Sequence, residues 1–588
     1  MSLKDRFSEE LRYLHELGND FAKDNPRLAR FLGNGASDPD VERLMEAFAF
    51  LTARLRLKLE DDLPELTQPM LQLLWPNYLR PLPSATIIQF VPRKQSLSQS
   101  QQIPKGSRLF SKPVDGVACE FRTCTAVNIH PFAIDTVGAT QTLDSSVLRI
   151  GLQTLAERPL DTVGCASLDF HLSGDQRTAR TLYLWLSQYL EEVSVTFDGE
   201  VRRLPPSSIA FPGFSPDEAL LPYPQNVFDG YRILQEYFMF PQRFHFFTLT
   251  GLHRLWPAAR SPQVAIEFHF NRQLPDALRV GKADFKLFCA PAINLFNHSA
   301  EPIDLSSEVA DVELKPKGAE RHAYEIFSID EVVSTRTTPD GSTGEHLRTF
   351  RPFESFAHEI EHVQGRTALY YRCTLEAALS GDGVTHRMAF VRADANAYIG
   401  ELETASIDLT CSNRDLPLAL NIDDINVTTE ATPPLATYSN ICAPTRPCRP
   451  VLDGQLQWAL ISNMSLNYLS LLSVEPLKAV IRAYDFLALH DIQQTRTTAK
   501  QLEGIRDIRT TPLDWLIKGQ PIRGLHTQLK LDQAAFLCEG DLYLFSCVLA
   551  HFFALYASIN SFHQLEVINT TNNEHYTWPI QTGKQPLI

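Results

Sequence analysis

His358, Glu359 and His362 stand in the string His358-Glu359-Ile360-Glu361-His362, which satisfies the pattern H-E-x-x-H. On a helix, two imidazoles one turn apart bind zinc and the glutamate activates a water for hydrolysis. The surroundings give that chemistry little support. Glu361 puts a charge at a middle position that zincin helices usually leave uncharged, and the downstream stretch VQGRTALYYR, with Gly365 close behind the motif, reads as a strand. Glu376 is the one nameable third ligand, and nothing points to it. The plain reading is a polar loop or strand edge, so no metal ligand is assigned. A zinc-dependent hydrolase on these residues is kept as the alternative function.

Other stretches invite chemistry and each has a blander reading. Leu542–Ile559 is a run without a formal charge that just reaches the length of a membrane span. It contains His551, Ser546, Cys547 and Ser558 and has no flanking Lys or Arg cluster, so a buried core helix is the better expectation. Tyr223, Phe228, Tyr231, Tyr237, Phe238, Phe240, Phe244, Phe246 and Phe247 could stack sugars or bases, but aromatics this dense among prolines are expected in a core. The turn Cys411-Ser412-Asn413-Arg414-Asp415-Leu416-Pro417 offers an Arg-Asp neighbour pair that reads as structural. There is no G-x-G-x-x-G, P-loop or G-x-S-x-G in a strand–turn–helix setting, and no nucleophile–base pair. No catalytic or cofactor-binding residue is assigned and no cofactor is expected.

The elements behind these residues suggest a large multidomain chain. With 588 residues, 44% hydrophobic and 21% charged, the composition is globular, and two to four domains are expected. The net charge of −15 argues against broad nucleic-acid binding, which needs a basic face. Ten scattered cysteines without a CxxC pair read as reduced thiols of a cytosolic protein, and the charged N-terminus has no apolar core of a secretory signal.

The clearest periodicity lies before residue 82. Residues 3–22 are expected to form a helix with Phe7, Leu11, Leu14 and Phe21 along one seam. A second helix, from about Val41 to Glu60, follows Ser37-Asp38-Pro39, a capping side chain and a ring already fixed at helical φ. Val41, Leu44, Phe48, Leu51, Leu55 and Leu59 run along it, and Ala47, Phe50, Ala53 and Leu57 widen the stripe to a second face. Leu66, Met70, Leu73 and Leu74 give a third stripe before Trp75-Pro76. These helices carry more apolar surface than they can bury among themselves, so the listed seam residues from Phe7 to Leu59 are the candidate partner interface.

After Pro81 and Pro83 the pattern turns to short strands. Thr181 to Gly199 reads as a hairpin-like pair of strands, Tyr231–Phe240 as a short aromatic helix, and Ala431–Pro450 as a second boundary. Further strands are expected at Val264–Phe270, Phe285–Phe288, Tyr324–Ile329, Thr367–Leu375 and Ala405–Cys411. Helices are expected again at Leu456–Leu472, Pro476–Leu489 and Asp541–Ile559, with strands near Ile505–Arg509 and Gly524–Leu531. The expected class is α+β, with a bundle segment over 1–82, β-rich or mixed domains over 83–280 and 281–450, and a mixed α+β domain over 451–588.

Many of these strings, in this order, resemble the TssF family (also called VasA or ImpG) of the bacterial type VI secretion system. They include DPDVERLMEAFAFLTARLRLKLEDDLPELTQPML, LLWPNYLRPLPS, LPYPQNVFDGYRILQEYFMFP, NLFNHSAEPI, TCSNRDLP and GDLYLFSCVLAHFFALYASINSFHQL. The HEIEH string is not among them. The resemblance implies a structural wedge subunit of the baseplate without an active site. It implies two copies of the chain per TssG, hence contact with a second copy of itself, and further assembly with TssK and TssE around the VgrG hub. It places that platform in the cytoplasm, docked to the inner-membrane complex through other subunits. The bundle would then be shared with TssG and the second copy.

Overall fold

A computed structural model describes residues 7–8, 11–15, 23, 39–60, 64–93, 100–155, 165–223, 231–255, 261–305, 311–337, 343–353, 369–378, 383–392, 398, 403–430, 432, 436–465, 473–517, 520–555, 557 and 561–583. The chain divides into two compact units, one of Met1–Leu71 with Val451–Met464 and one of Gln72–Pro450 with Ser465–Ile588.

In the smaller unit, helix α1 spans Pro39–Glu60 and α2 spans Pro64–Leu74, which begins the larger unit with its last residues. A later helix, Gly454–Ser465, returns to this unit, where Thr67 Oγ1 donates to Gln457 Oε1 at 2.5 Å. Ala49, Thr67, Leu71 and Leu460 are fully buried. The seam expected over 3–22 lies largely outside the described residues, as do 466–472 of the expected helix ending at Leu472.

The larger unit is strand-rich. Its first sheet has the order Ala436–Asn440, Ala85–Pro92, Cys289–Ile293, Val117–Thr123, Arg108–Val114. Ala85–Pro92 is thus held between strands from far along the chain, and the Pro-rich stretch expected as a boundary contains one of them. A second sheet runs Glu200–Leu204, Leu190–Phe197, Gln263–Phe270, Ser146–Thr154, Phe132–Gln141. Further on, Glu325–Thr337 and Glu403–Ser412 belong to one antiparallel sheet and Leu369–Ala377 and Val384–Arg392 to another. Phe296, Val332, Tyr371, Met388, Ile407 and Leu409 belong to their shared core.

The segment after α2 is locked into the larger unit by aromatic packing. Trp75 lies 5.0 Å from Tyr484, 5.9 Å from Tyr78 and 6.1 Å from Tyr231, ring centre to ring centre. Leu82 and Cys448 exchange backbone hydrogen bonds at 2.7 and 2.9 Å. The Trp75-Pro76 break is where the helical stripe gives way to this core.

The expected strand pair over Thr181–Gly199 is half corrected. Thr181–Leu184 belongs to a helix, Gln176–Leu184, that continues into a π turn over Trp185–Tyr189 before the strand Leu190–Phe197 begins. Asp175 starts the helix by accepting from the Arg177 and Thr178 amides at 2.9 and 3.0 Å. An apolar run buried on all sides has no periodicity to separate helix from strand, and here the cap upstream decides. The helix Ile492–Glu503 was not expected, since IQQTRTTAKQLE shows a mostly polar face; Asp491 caps it through the Gln493 amide at 2.7 Å.

The uncharged C-terminal run forms the helix Glu539–Leu555, inserted between parallel strands Gln520–Leu531 and Phe562–Asn569. Leu542, Leu544, Phe545, Val548, Leu549, Phe552 and Phe553 are all fully buried, so this is a core helix. It approaches Gln176–Leu184 so closely that a Cβ on Gly540 would fall 2.1 Å from the Arg180 carbonyl oxygen. Beside that contact Arg180 Nη1 meets Asp541 Oδ1 at 2.6 Å, both side chains buried.

Burial also sets an acid limit on the fold. His130, His171 and His563 are buried, and desolvation lowers their pKa to about 4, 3 and 3. An unfolded histidine titrates near 6.5. Below that pH the unfolded chain binds protons that these folded rings refuse, so their contribution is full above pH 6.5 and declines as pH falls. Each is expected to remove about 1.4 kcal/mol per pH unit in that window. Asp169, Glu325 and Asp485, raised by burial, act in the opposite sense nearer the carboxylate range. Urea midpoints should therefore fall between pH 6.5 and 5; a flat midpoint would contradict this account.

Candidate partner interface

Helix α1 forms where the sequence has Pro at its first position and a long run free of glycine. At about 100° per residue, Leu44, Phe48 and Leu51 fall within about 60° of one another. Leu44 is 70% exposed, Phe48 61% and Leu51 56%. The buried side carries Ala49, with Met45 and Thr52 partly buried next to it. The large apolar groups thus face outward and a small one faces inward.

On α2 the same inversion recurs. Leu66, Met70 and Leu74, at successive turns, are exposed, while Thr67, Gln68 and Leu71 are buried. Phe50 and Trp458 are exposed as well. Of the remaining seam residues, Phe7, Leu11, Leu14 and Val41 are partly buried; Phe21 and the side chains of Leu55 and Leu59 lie outside what the structure describes. Leu66, Met70 and Trp458 were missing from the expected interface, although the i, i+4 spacing of the first two was readable. Among the described residues this surface holds no group placed to bind a metal. What it can do is bury apolar area, at about 1.5–3 kcal/mol for each large side chain fully enclosed.

The stretches that invited chemistry resolve differently. The HEIEH motif lies outside the described residues. Among the described residues no group of three or more His, Cys, Asp or Glu side chains could hold a metal, and no helix is long and apolar enough to cross a membrane. All ten cysteines are free thiols. Tyr231, Tyr237, Phe238, Phe240, Phe244, Phe246 and Phe247 are buried, as expected of a core. Tyr223 is partly buried and Phe228 lies outside the described residues.

Within that aromatic stretch lies a charged cluster with no sequence signal of burial. Arg232 and Glu236, one turn apart on the helix Arg232–Met239, are both fully buried, with Arg243 beside them. Glu236 Oε2 accepts from Arg232 Nη1 at 3.0 Å and also pairs with Arg243; its Oε1 accepts from the Leu220 amide at 2.8 Å. The polar turn Cys411–Pro417 is also structural. Asn413 Oδ1 accepts from Asn294 Nδ2 at 2.7 Å, and the Asn413 amide donates to Asn294 Oδ1 at 2.7 Å. Asp415 pairs with Arg449 at 2.6 Å and not with its neighbour Arg414, a correction to the expected pair.

The family model described as "Type VI secretion system, TssF" matches residues 1–585. A curated relative, type VI secretion system component TssF1 of Pseudomonas aeruginosa, is 30% identical over 100% of this chain and 99% of its own length. A chain of the TssK-TssF-TssG baseplate subcomplex of the type VI secretion system, solved by cryo-electron microscopy, is similar with a TM-score of 0.76 and 28% identity. That match covers 92% of this chain and 100% of the other. A chain of the baseplate complex from the type VI secretion system matches with a TM-score of 0.69 and 25% identity, over 100% of both chains.

Proposed function

This chain belongs to the TssF family of the type VI secretion system, and from that premise we propose that it works as a structural wedge subunit of the baseplate, through interfaces and without catalysis. The observation that carries the reading is the outward-facing apolar stripe of Leu44, Phe48 and Leu51, continued on α2 by Leu66 and Met70. Monomeric proteins seldom leave contiguous patches of such residues to water. A partner helix laid along the stripe would enclose them at i, i+3, i+4 and i+7 spacing.

In this reading the first helices, with Phe7, Leu11, Leu14, Phe21 and Val41 through Leu59, form part of a bundle shared with TssG and a second copy of this chain. Similarity to a chain of the TssK-TssF-TssG subcomplex supports TssG and TssK as partners. TssE, the VgrG hub and indirect docking at the inner membrane from the cytoplasmic side follow as further expectations for a baseplate wedge. The four-part division at residues 82, 280 and 450 is retained as a proposal about which segments meet which partners. The zinc hydrolase gains no supporting observation.

Co-expression with TssG followed by native mass measurement tests the reading. Two copies of this chain, each of 66.3 kDa, are expected per TssG. A chain that purifies alone at its own mass would overturn it.

A further inference from the structure

The sheet that begins with Glu200–Leu204 ends, at its other side, on the edge strand Phe132–Gln141. The backbone bonds around it show which groups face outward. The Thr154 amide donates to the Pro262 carbonyl at 2.8 Å, and the Thr142 amide to the Ser145 carbonyl at 2.9 Å. Given the register Thr136↔Gly151 through Gln141↔Ser146, strict alternation turns the backbone groups of Thr136, Gly138 and Thr140 toward Ser146–Thr154. Those of Val137, Ala139 and Gln141 point away from it, and among the described residues no strand lies on that side. Three other edge strands are guarded by charge or proline, as edges exposed to water usually are. Glu200–Leu204 carries Glu200, Arg202 and Arg203; Arg108–Val114 carries Arg108, Lys112 and Pro113; Ile505–Ile517 carries Arg506, Arg509 and Pro512. From Thr136 to Gln141 there is neither a charge nor a proline.

Gly138 stands in the middle of that stretch, and among the described residues nothing requires a glycine there. Its backbone is outside the left-handed region, a Cβ on it would meet no atom within 4 Å, and the bulge of this strand lies earlier, between Ile134 and Thr136. Glycine weakens a strand interior, and its remaining use is to let another backbone approach closely. The sheet's apolar face also runs out here. Leu148 and Ile150 are fully buried, whereas Ala139 and Val137, opposite them on the same face, are exposed and partly buried. Antiparallel pairing of this strand with itself about Gly138 makes Val137 and Ala139 the pair that exchanges backbone bonds. It sets Thr136 against Thr140 and Asp135 against Gln141, so no like charges oppose each other. We propose that Phe132–Gln141 pairs edge to edge with the same strand of a second copy of this chain, joining two sheets into one. This deepens the wedge reading, on which it rests for the presence of a second copy, and names a contact distinct from the stripe on α1. The paired stretch ends at Gln141, before the turn that carries Leu143.

The test is a disulfide at the two-fold. Position 138 would face its own copy as a non-hydrogen-bonded pair, Cα to Cα about 4.5 Å, a separation that a disulfide spans. The open space around Gly138 admits the added side chain. The full-length chain is co-purified with TssG and oxidised with copper phenanthroline. Gly138→Cys is expected to give a disulfide-linked dimer of this chain, about tenfold above Val201→Cys, an exposed position on the opposite edge strand. Adding Ala139→Pro removes an outward amide that bonds nothing in its own ladder, a place where an edge strand tolerates proline. It is expected to abolish the dimer and leave the circular dichroism spectrum unchanged. A complex that assembles normally yet gives no dimer would overturn the proposal. So would equal yields from the two cysteine variants, or a disulfide to TssG in place of the second copy. A dimer formed by a chain that does not retain TssG would uphold the edge pairing and fault the wedge reading alone.

Discussion

Glu236→Gln is expected to destabilise the chain by about 3–5 kcal/mol, because it removes the buried carboxylate charge that two buried guanidiniums share. Arg232 and Glu236 are completely enclosed and Arg243 nearly so. The carboxylate is also a backbone acceptor: it takes the Leu220 and Leu221 amides at 2.8 and 3.4 Å, which ties the loop before the aromatic helix to that helix. The arginines have further partners, Arg232 donating to the Phe214 carbonyl at 3.0 Å and Arg243 to those of Gly213 and Glu218 at 2.9 and 2.7 Å. Those carbonyls supply dipoles, not a negative charge, so they cannot replace Glu236. Circular dichroism melts of the full chain should show the loss, and an unchanged midpoint would remove the triad from the account. Glu218→Gln gives a measure of scale. Its Oε2 accepts the Gly213 amide at 2.7 Å but faces no buried arginine pair, so its cost should be near 1 kcal/mol.

Phe48→Asp is expected to do the reverse, leaving the isolated chain intact while disabling assembly. The side chain is exposed in this chain, and surface substitutions of that kind usually stay within about 0.5 kcal/mol. In the assembled wedge the same position would be enclosed by partner side chains. An aspartate there loses the anchor and buries a charge, which is expected to weaken binding by about 2 kcal/mol or more, roughly thirtyfold. Leu44→Asp, one turn away, should act in the same direction and less than additively, since the two share one contact. Leu143→Asp supplies the charge control: Leu143 is almost fully exposed, in the turn between Phe132–Gln141 and Ser146–Thr154, far along the chain from the stripe. Melts and pull-downs of the three variants separate folding from binding. Equal retention of partners by all three would count against the stripe as an interface.

Much of the secondary structure was readable because local signals agreed. Helix α1 announced itself through period and proline, the C-terminal helix through an uninterrupted apolar run, and most central strands through β-branched alternation. What escaped has physical causes. Thr181–Leu184 is buried on all sides, so its pattern carries no period. Ile492–Glu503 is defined by a cap and not by an apolar face. The pairing of Ala85–Pro92 with Ala436–Asn440 joins residues with no local mark of one another. The candidate interface was legible as surplus apolar surface, but not its orientation. A helix apolar on two faces gives no clue which face turns inward, and only the structure places Ala49 inside with Phe48 and Leu44 outside. The buried triad was hidden for a related reason, since Arg232 and Glu236 look like an ordinary surface pair at i, i+4.

The central claim is that the stripe on α1 is covered by another polypeptide in the assembled wedge. The direct measurement puts a photoreactive benzoylphenylalanine at position 48 of the full-length chain, co-expressed with TssG, and irradiates the purified complex. The account predicts cross-linked products of higher mass whose peptides join position 48 to TssG or to a second copy of this chain. Products confined to the chain's own residues, from a complex that has assembled normally, would contradict it.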